Sequence, residues 1–126
     1  MPPLSALIAV AVGAVLGAWL RWFLVGELNA VLPSLPLGTL IANIGGGLAI
    51  GFVIAWLAAD PQIHPNLRLF LVTGFLGALT TFSSFSAESL QLLHAGQYGW
   101  AFAHSAAHLF GSLAAAAGGF AAYQAL

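Results

Sequence analysis

Apolar residues fill four long stretches of this chain, and short polar or proline-bearing segments separate them. The first covers residues 4–25 and closes near Arg21, Trp22 and Glu27. A connection over residues 29–36 follows, in which Pro33 and Pro36 prevent a continuous helix. Residues 37–59 form the second stretch, with Trp56 suited to its interfacial end. Asp60, Pro61, His64 and Pro65 mark the next turn, and residues 66–93 form a third stretch with a polar interruption near 75–81. Residues 94–99 link it to the fourth, over 100–123. A spanning helix needs about 20 predominantly apolar residues. The pattern therefore predicts an all-α membrane protein of four transmembrane helices, the third one broken. The connections are too short for any extramembrane domain, so residues 1–126 are read as one transmembrane domain.

Composition sharpens this reading. Hydrophobic residues make up 61% of the chain and charged ones 4%, against about 25% charged in soluble domains. So few charges cannot solvate the outside of a globule. The formal net charge of -1 supplies no basic patch for phosphates and points to no nucleic-acid partner. Without cysteine there is neither a disulfide framework nor a thiolate metal site. The N-terminal stretch lacks a basic n-region and outruns a typical signal h-region, so it is expected to be retained as a helix.

Small residues recur inside the stretches: Gly13 with Gly17, Gly47 with Gly51, and Gly74 with Gly77 and Ala78. This spacing lets helix backbones approach, and close packing within one chain accounts for most of it. Four short helices can hardly enclose a polar pathway, so self-association is expected. Arg21 falls near one membrane face and Arg68 near the other, and there is no lysine. The positive-inside rule then favours neither direction of insertion. Dual topology follows as an expectation, and with it an antiparallel homodimer.

Polar residues within spans are costly and usually face the protein interior. Thr39 and Asn43 share one face of the second helix. The third stretch places TGFLGALTTFSSFSAE at 73–88. There Gly74 and Gly77 loosen the helix, while Thr80, Thr81, Ser83 and Ser84 can satisfy freed backbone groups. Such breaks expose carbonyls that bind small cations and helix N-termini that favour anions. Phe82 and Phe85 lie at i, i+3 just beyond, and their positive ring edges suit a dehydrating anion. In the fourth stretch, His104, His108 and Ser112 form one polar stripe, with Ser105 adjoining but expected to point elsewhere. Two histidines at i, i+4 can ligate a metal, yet no acidic or thiol group is expected beside them. Hydrogen bonding toward a pathway is the preferred reading. Catalysis is not expected, since no triad, carboxylate pair or phosphate loop is present.

The segments GTLIANIGGGLAIG at 38–51 and TGFLGALTTFSSFSAE at 73–88 resemble the Fluc fluoride channels, also called the CrcB family. GAWLRW at 17–22 and GSLA at 111–114 match as well, so the resemblance covers essentially the whole chain. It implies a passive fluoride channel in a bacterial inner membrane, built as a dual-topology antiparallel homodimer with two pores. It further implies a structural sodium ion at the dimer centre, held by backbone carbonyls at Gly77 and Thr80. Phe82, Phe85, Asn43 and Ser112 match pore-lining positions, and Arg21 and Glu88 match vestibule positions. The sequence departs from the family pattern at His104, where tyrosine is expected, and at His108, where serine is expected. Both replacements keep hydrogen-bonding capacity but introduce groups that can protonate near neutral pH.

Two other readings fit the same composition. A small dual-topology exporter of cationic drugs would need an embedded carboxylate, for which Glu88 is the nearest candidate. A non-transporting assembly subunit would use its polar residues only as interhelical hydrogen bonds.

Overall fold

The computed structural model describes all of residues 1–126. It contains four helical passages long and apolar enough to cross a membrane. The first passage, α1, runs Leu4–Leu28, and the second, α2, runs Leu37–Ala59. The third is built in pieces: α3 (Pro65–Arg68), a π-helical segment (Leu69–Leu76), α4 (Gly77–Leu79) and α5 (Phe82–His94). The fourth, α6, runs Tyr98–Gln124.

Differences from the expected bounds have physical reasons. α1 continues past residue 25 because one glycine, Gly26, does not stop a helix, and no proline follows until Pro33. Arg21 therefore lies inside the helix instead of closing it. The third passage departs from α geometry at Leu69, earlier than expected, whereas its true interruption is confined to Thr80 and Thr81. Both threonines are extended, with φ/ψ of -83/153° and -149/123°. At the far end of α5, Gly96 adopts φ 73°, the left-handed conformation that glycine takes at little cost. Gln97 N–H bonds to Leu92 O and Gly96 N–H to Leu93 O, closing a Schellman turn that folds α5 back onto α6.

Two helix pairs make the body of the chain. α1 packs on the π segment and α4, while α2 packs on α6. In the α2–α6 pair the backbones nearly touch: a Cβ on Gly51 would overlap the Ala116 carbonyl, and one on Gly119 the Leu48 carbonyl. Only 19 of 126 residues are buried, so most of the apolar surface is left for lipid or for another copy. The small core joins Ala42 of α2 to Leu76 and Leu79, just ahead of the break.

Candidate functional site

A helix interrupted at mid-passage exposes backbone groups that lipid cannot satisfy. Here most of them find partners. Thr80 folds back, its N–H and hydroxyl both donating to Leu76 O at 3.1 and 2.9 Å. Thr81 caps α5, its Oγ1 accepting from Ser84 N–H at 3.1 Å. Arg21 reaches across from α1 and donates through Nε to Ala78 O at 3.0 Å, placing a cation at the C-terminal end of α4. This is a role at the break, beyond the vestibule position expected for Arg21. No hydrogen bond within the chain ends on the carbonyl oxygens of Gly77 or Thr80.

Asn43 supplies the remaining partners. Its Oδ1 accepts from Thr81 N–H at 2.7 Å and its Nδ2 donates to Thr81 O at 3.0 Å. The side-chain amide thus stands in for the backbone neighbour that Thr81 lost. The second Nδ2 hydrogen donates to His108 Nδ1 at 2.9 Å. Because Oδ1 is held by an N–H, the amide cannot flip. Neutral His108 therefore carries its proton on Nε2, a buried atom without a hydrogen-bond partner.

Seven of the expected site residues line one groove of about 780 Å³: Asn43, Gly77, Thr80, Phe82, Phe85, His108 and Ser112. Ser105 also lines it, contrary to the expectation that it points away. Its hydroxyl also lies 3.2 Å from Ser89 Oγ across the α5–α6 hairpin. Phe85 occupies the centre of an aromatic cluster. Its ring stacks on His104 (5.4 Å, 10°), tilts against His108 (4.9 Å) and meets Phe82 edge-on (5.4 Å, 61°). Phe82 itself is 79% exposed.

Thr39, Glu88 and His104 lie behind this groove. Thr39 and His104 are fully buried, so the expected stripe divides: His108 and Ser112 face the groove, and His104 does not. Thr39 Oγ1 donates to Glu88 Oε2 at 2.6 Å, and His104 Nε2 donates to Glu88 Oε1 at 3.0 Å. Ser89 Oγ then donates to His104 Nδ1 at 2.8 Å. Asn29 completes the network, its Oδ1 accepting from Thr39 N–H at 3.1 Å and its Nδ2 donating to Thr39 Oγ1 at 3.3 Å.

The expectation that no acidic group adjoins the histidines is overturned. One ligand atom each from Glu88, His104 and His108 lies within 4.8 Å of the other two. The signal was in the sequence, because Glu88 and His104 stand at equal distances on either side of Gly96. An antiparallel helix pair turning at that glycine must bring them opposite one another. Asn29 and Ser89 were missed, and Ser105 misplaced, for related reasons, being polar groups that gain meaning only once the helices are paired.

A four-passage membrane protein with a repaired break in its third helix and an amide–imidazole–phenyl groove beside it is the class that these features define. The family described as CrcB-like protein, camphor resistance (CrcB), matches residues 8–120. The chain belongs to that family and is a multi-pass integral membrane protein of bacterial type. It is 50% identical over 121 residues to a protein of Pseudomonas syringae pv. maculicola, covering 96% of this chain and 95% of that one. It is 52% identical over 122 residues to one of Aromatoleum aromaticum, covering 97% and 93%. A protein of Pseudomonas paraeruginosa is 56% identical over 109 residues, with 86% of each chain covered. All three relatives bear the name fluoride-specific ion channel FluC.

Proposed function

We propose that this chain forms a passive, fluoride-selective channel in a bacterial inner membrane. In this reading it works as a dual-topology antiparallel homodimer with two pores. The observation that carries it is the Asn43 amide, which joins the break in the third helix to His108 beside the Phe82–Phe85 pair. Fluoride is small and strongly hydrated, so a narrow path must offer donors in place of water. Asn43, Ser105, His108 and Ser112 line the groove with such groups, and phenyl edges add weak positive potential. Arg21, the one cation near the break, is not among the residues that line the groove, so no fixed cation stands there to trap the ion. The names borne by the relatives agree with this ion.

A second copy suits the exposed surface. Gly77 and Phe82 lie open along a groove that mixes apolar side chains with Asn43, Thr80 and Ser112, a lining that lipid alone would not satisfy. The structural sodium fits the same place. The Gly77 and Thr80 carbonyls carry no hydrogen bond, and hard oxygen donors suit a hard cation. These residues would hold the ion, which would supply fixed positive charge and join the two copies.

Efflux from liposomes, read with fluoride and chloride electrodes, tests the proposal. Rapid fluoride release with negligible chloride release is expected, and a folded dimer releasing neither ion would sink it. Phe82→Ile and Phe85→Ile are each expected to slow fluoride efflux by about tenfold or more, equivalent to about 1.4 kcal/mol, with the dimer intact. Normal rates in both would remove the pair from the path. Glu88→Gln separates this reading from a cation exporter: measurable fluoride efflux should remain, whereas proton-coupled drug export would be lost entirely.

A further inference from the structure

At the back wall of the groove the chain assembles a carboxylate and two imidazoles, of which only His108 also faces the groove. Glu88, His104 and His108 bring two imidazoles and a carboxylate together, with ligand atoms separated by 3.0 Å at one edge and at most 4.8 Å elsewhere. Around a tetrahedral zinc ion with bonds of about 2.1 Å, ligand atoms stand roughly 3.4 Å apart. The observed separations bracket that value, so small side-chain rotations would complete the site. Two of the ligands are already oriented by outer partners, Glu88 by Thr39 and His104 by Ser89. Such contacts are what fixes ligands in zinc sites. His108 is 4% exposed and leaves its Nε2 without any partner, so that atom can take a ligand once its proton moves to Nδ1.

We infer that Glu88, His104 and His108 form a binding site for a borderline divalent cation of the zinc class. Imidazole and carboxylate donors suit that class, whereas calcium and magnesium prefer all-oxygen shells. One obstacle is visible. Asn43 donates to His108 Nδ1 and so places the proton on Nε2. Metal binding at Nε2 moves that proton to Nδ1 and forfeits the Asn43 bond. Losing such a bond and leaving its groups unmet costs about 1–3 kcal/mol. Four-ligand structural sites reach about 10–16 kcal/mol, and even half of that from three ligands exceeds this cost. The site therefore binds, but more weakly than one with a matched outer shell. Entry is from the side of Glu88, whose side chain is 15% exposed. The fourth position stays open to water or an anion. On the channel reading, on which this last step rests, a dication there holds the anion and stops its passage.

The test is zinc titration of tag-free, dimeric protein by calorimetry, paired with X-ray absorption at the zinc edge. One zinc per chain is expected, with two imidazole nitrogens and carboxylate oxygen at about 2.0–2.1 Å. Glu88→Gln, His104→Gln and His108→Gln should each weaken binding at least tenfold, while a His64→Gln, His94→Gln double variant binds normally. Absence of binding, an absorption spectrum without two imidazoles, or loss of binding only in the His64, His94 variant would overturn the site. These readouts need no ion flux. Fluoride efflux from zinc-free protein that binds no zinc on titration sinks the site alone, whereas zinc binding by a protein that releases no fluoride even when zinc-free sinks the channel reading alone. Efflux unchanged at saturating zinc would refute the block.

Discussion

Asn43→Ala is expected to reduce fluoride efflux by about 100-fold or more while the chain still inserts in the membrane. The substitution deletes two bonds to the Thr81 backbone and one to His108 in a single step. Each buried backbone group left unpaired costs about 1–3 kcal/mol. Two such groups bracket the 2.7 kcal/mol that corresponds to a 100-fold change. The break would then relax by another route, and the Phe82–Phe85 pair would leave its present relation to His108. Efflux assays combined with size-exclusion profiles check this outcome. A dimeric Asn43→Ala protein that conducts at the normal rate would show that the amide has no part in the path. Such a result would weaken the channel assignment more than failure of either phenylalanine variant.

The same residue shows how far the sequence reaches. An asparagine in an apolar stretch stands out at once, and so does a run of threonine, serine and glycine at mid-span, because each is expensive in lipid. The four helices were legible for the same reason: their apolar runs admit no other disposition. What the sequence leaves unstated is which polar group meets which. Asn43 and Thr81 are far apart in the chain, and only the packing of α2 against the third passage brings them together. His104 reads like a member of the groove stripe, yet it is withdrawn by Glu88, a carboxylate delivered by the fold of the α5–α6 hairpin. The π segment over Leu69–Leu76 has no signature either. Its residues are ordinary apolar helix formers, and its backbone is fitted against Gly13 and Gly17 of α1.

Gly51→Leu is expected to prevent the chain from folding into a stable bundle, while Gly118→Leu is tolerated. Both glycines lie within apolar helices and look alike in sequence. The difference is what faces them. A side chain at position 51 runs directly into the Ala116 backbone, whereas nothing lies within 4 Å of a Cβ on Gly118. Overpacking against movable side chains costs about 1–3 kcal/mol. A backbone carbonyl in a rigid helix cannot step aside, so the cost at position 51 exceeds that range. The whole α2–α6 contact must open, because Gly119 meets the Leu48 carbonyl as tightly and a Cβ on Gly47 would stand 2.8 Å from the Ser112 carbonyl on the same seam. Opening it carries Asn43 away from His108, so loss of fold and loss of the site have one cause. Thermal melts and size-exclusion of the detergent-solubilised variants distinguish the two positions. Equal damage from both substitutions would mean that the outward face of α6 is covered too, by a second copy instead of lipid. Membrane helices lack a hydrophobic drive to associate in lipid and depend on such close contact. The seam of glycines is therefore what holds the polar network in register.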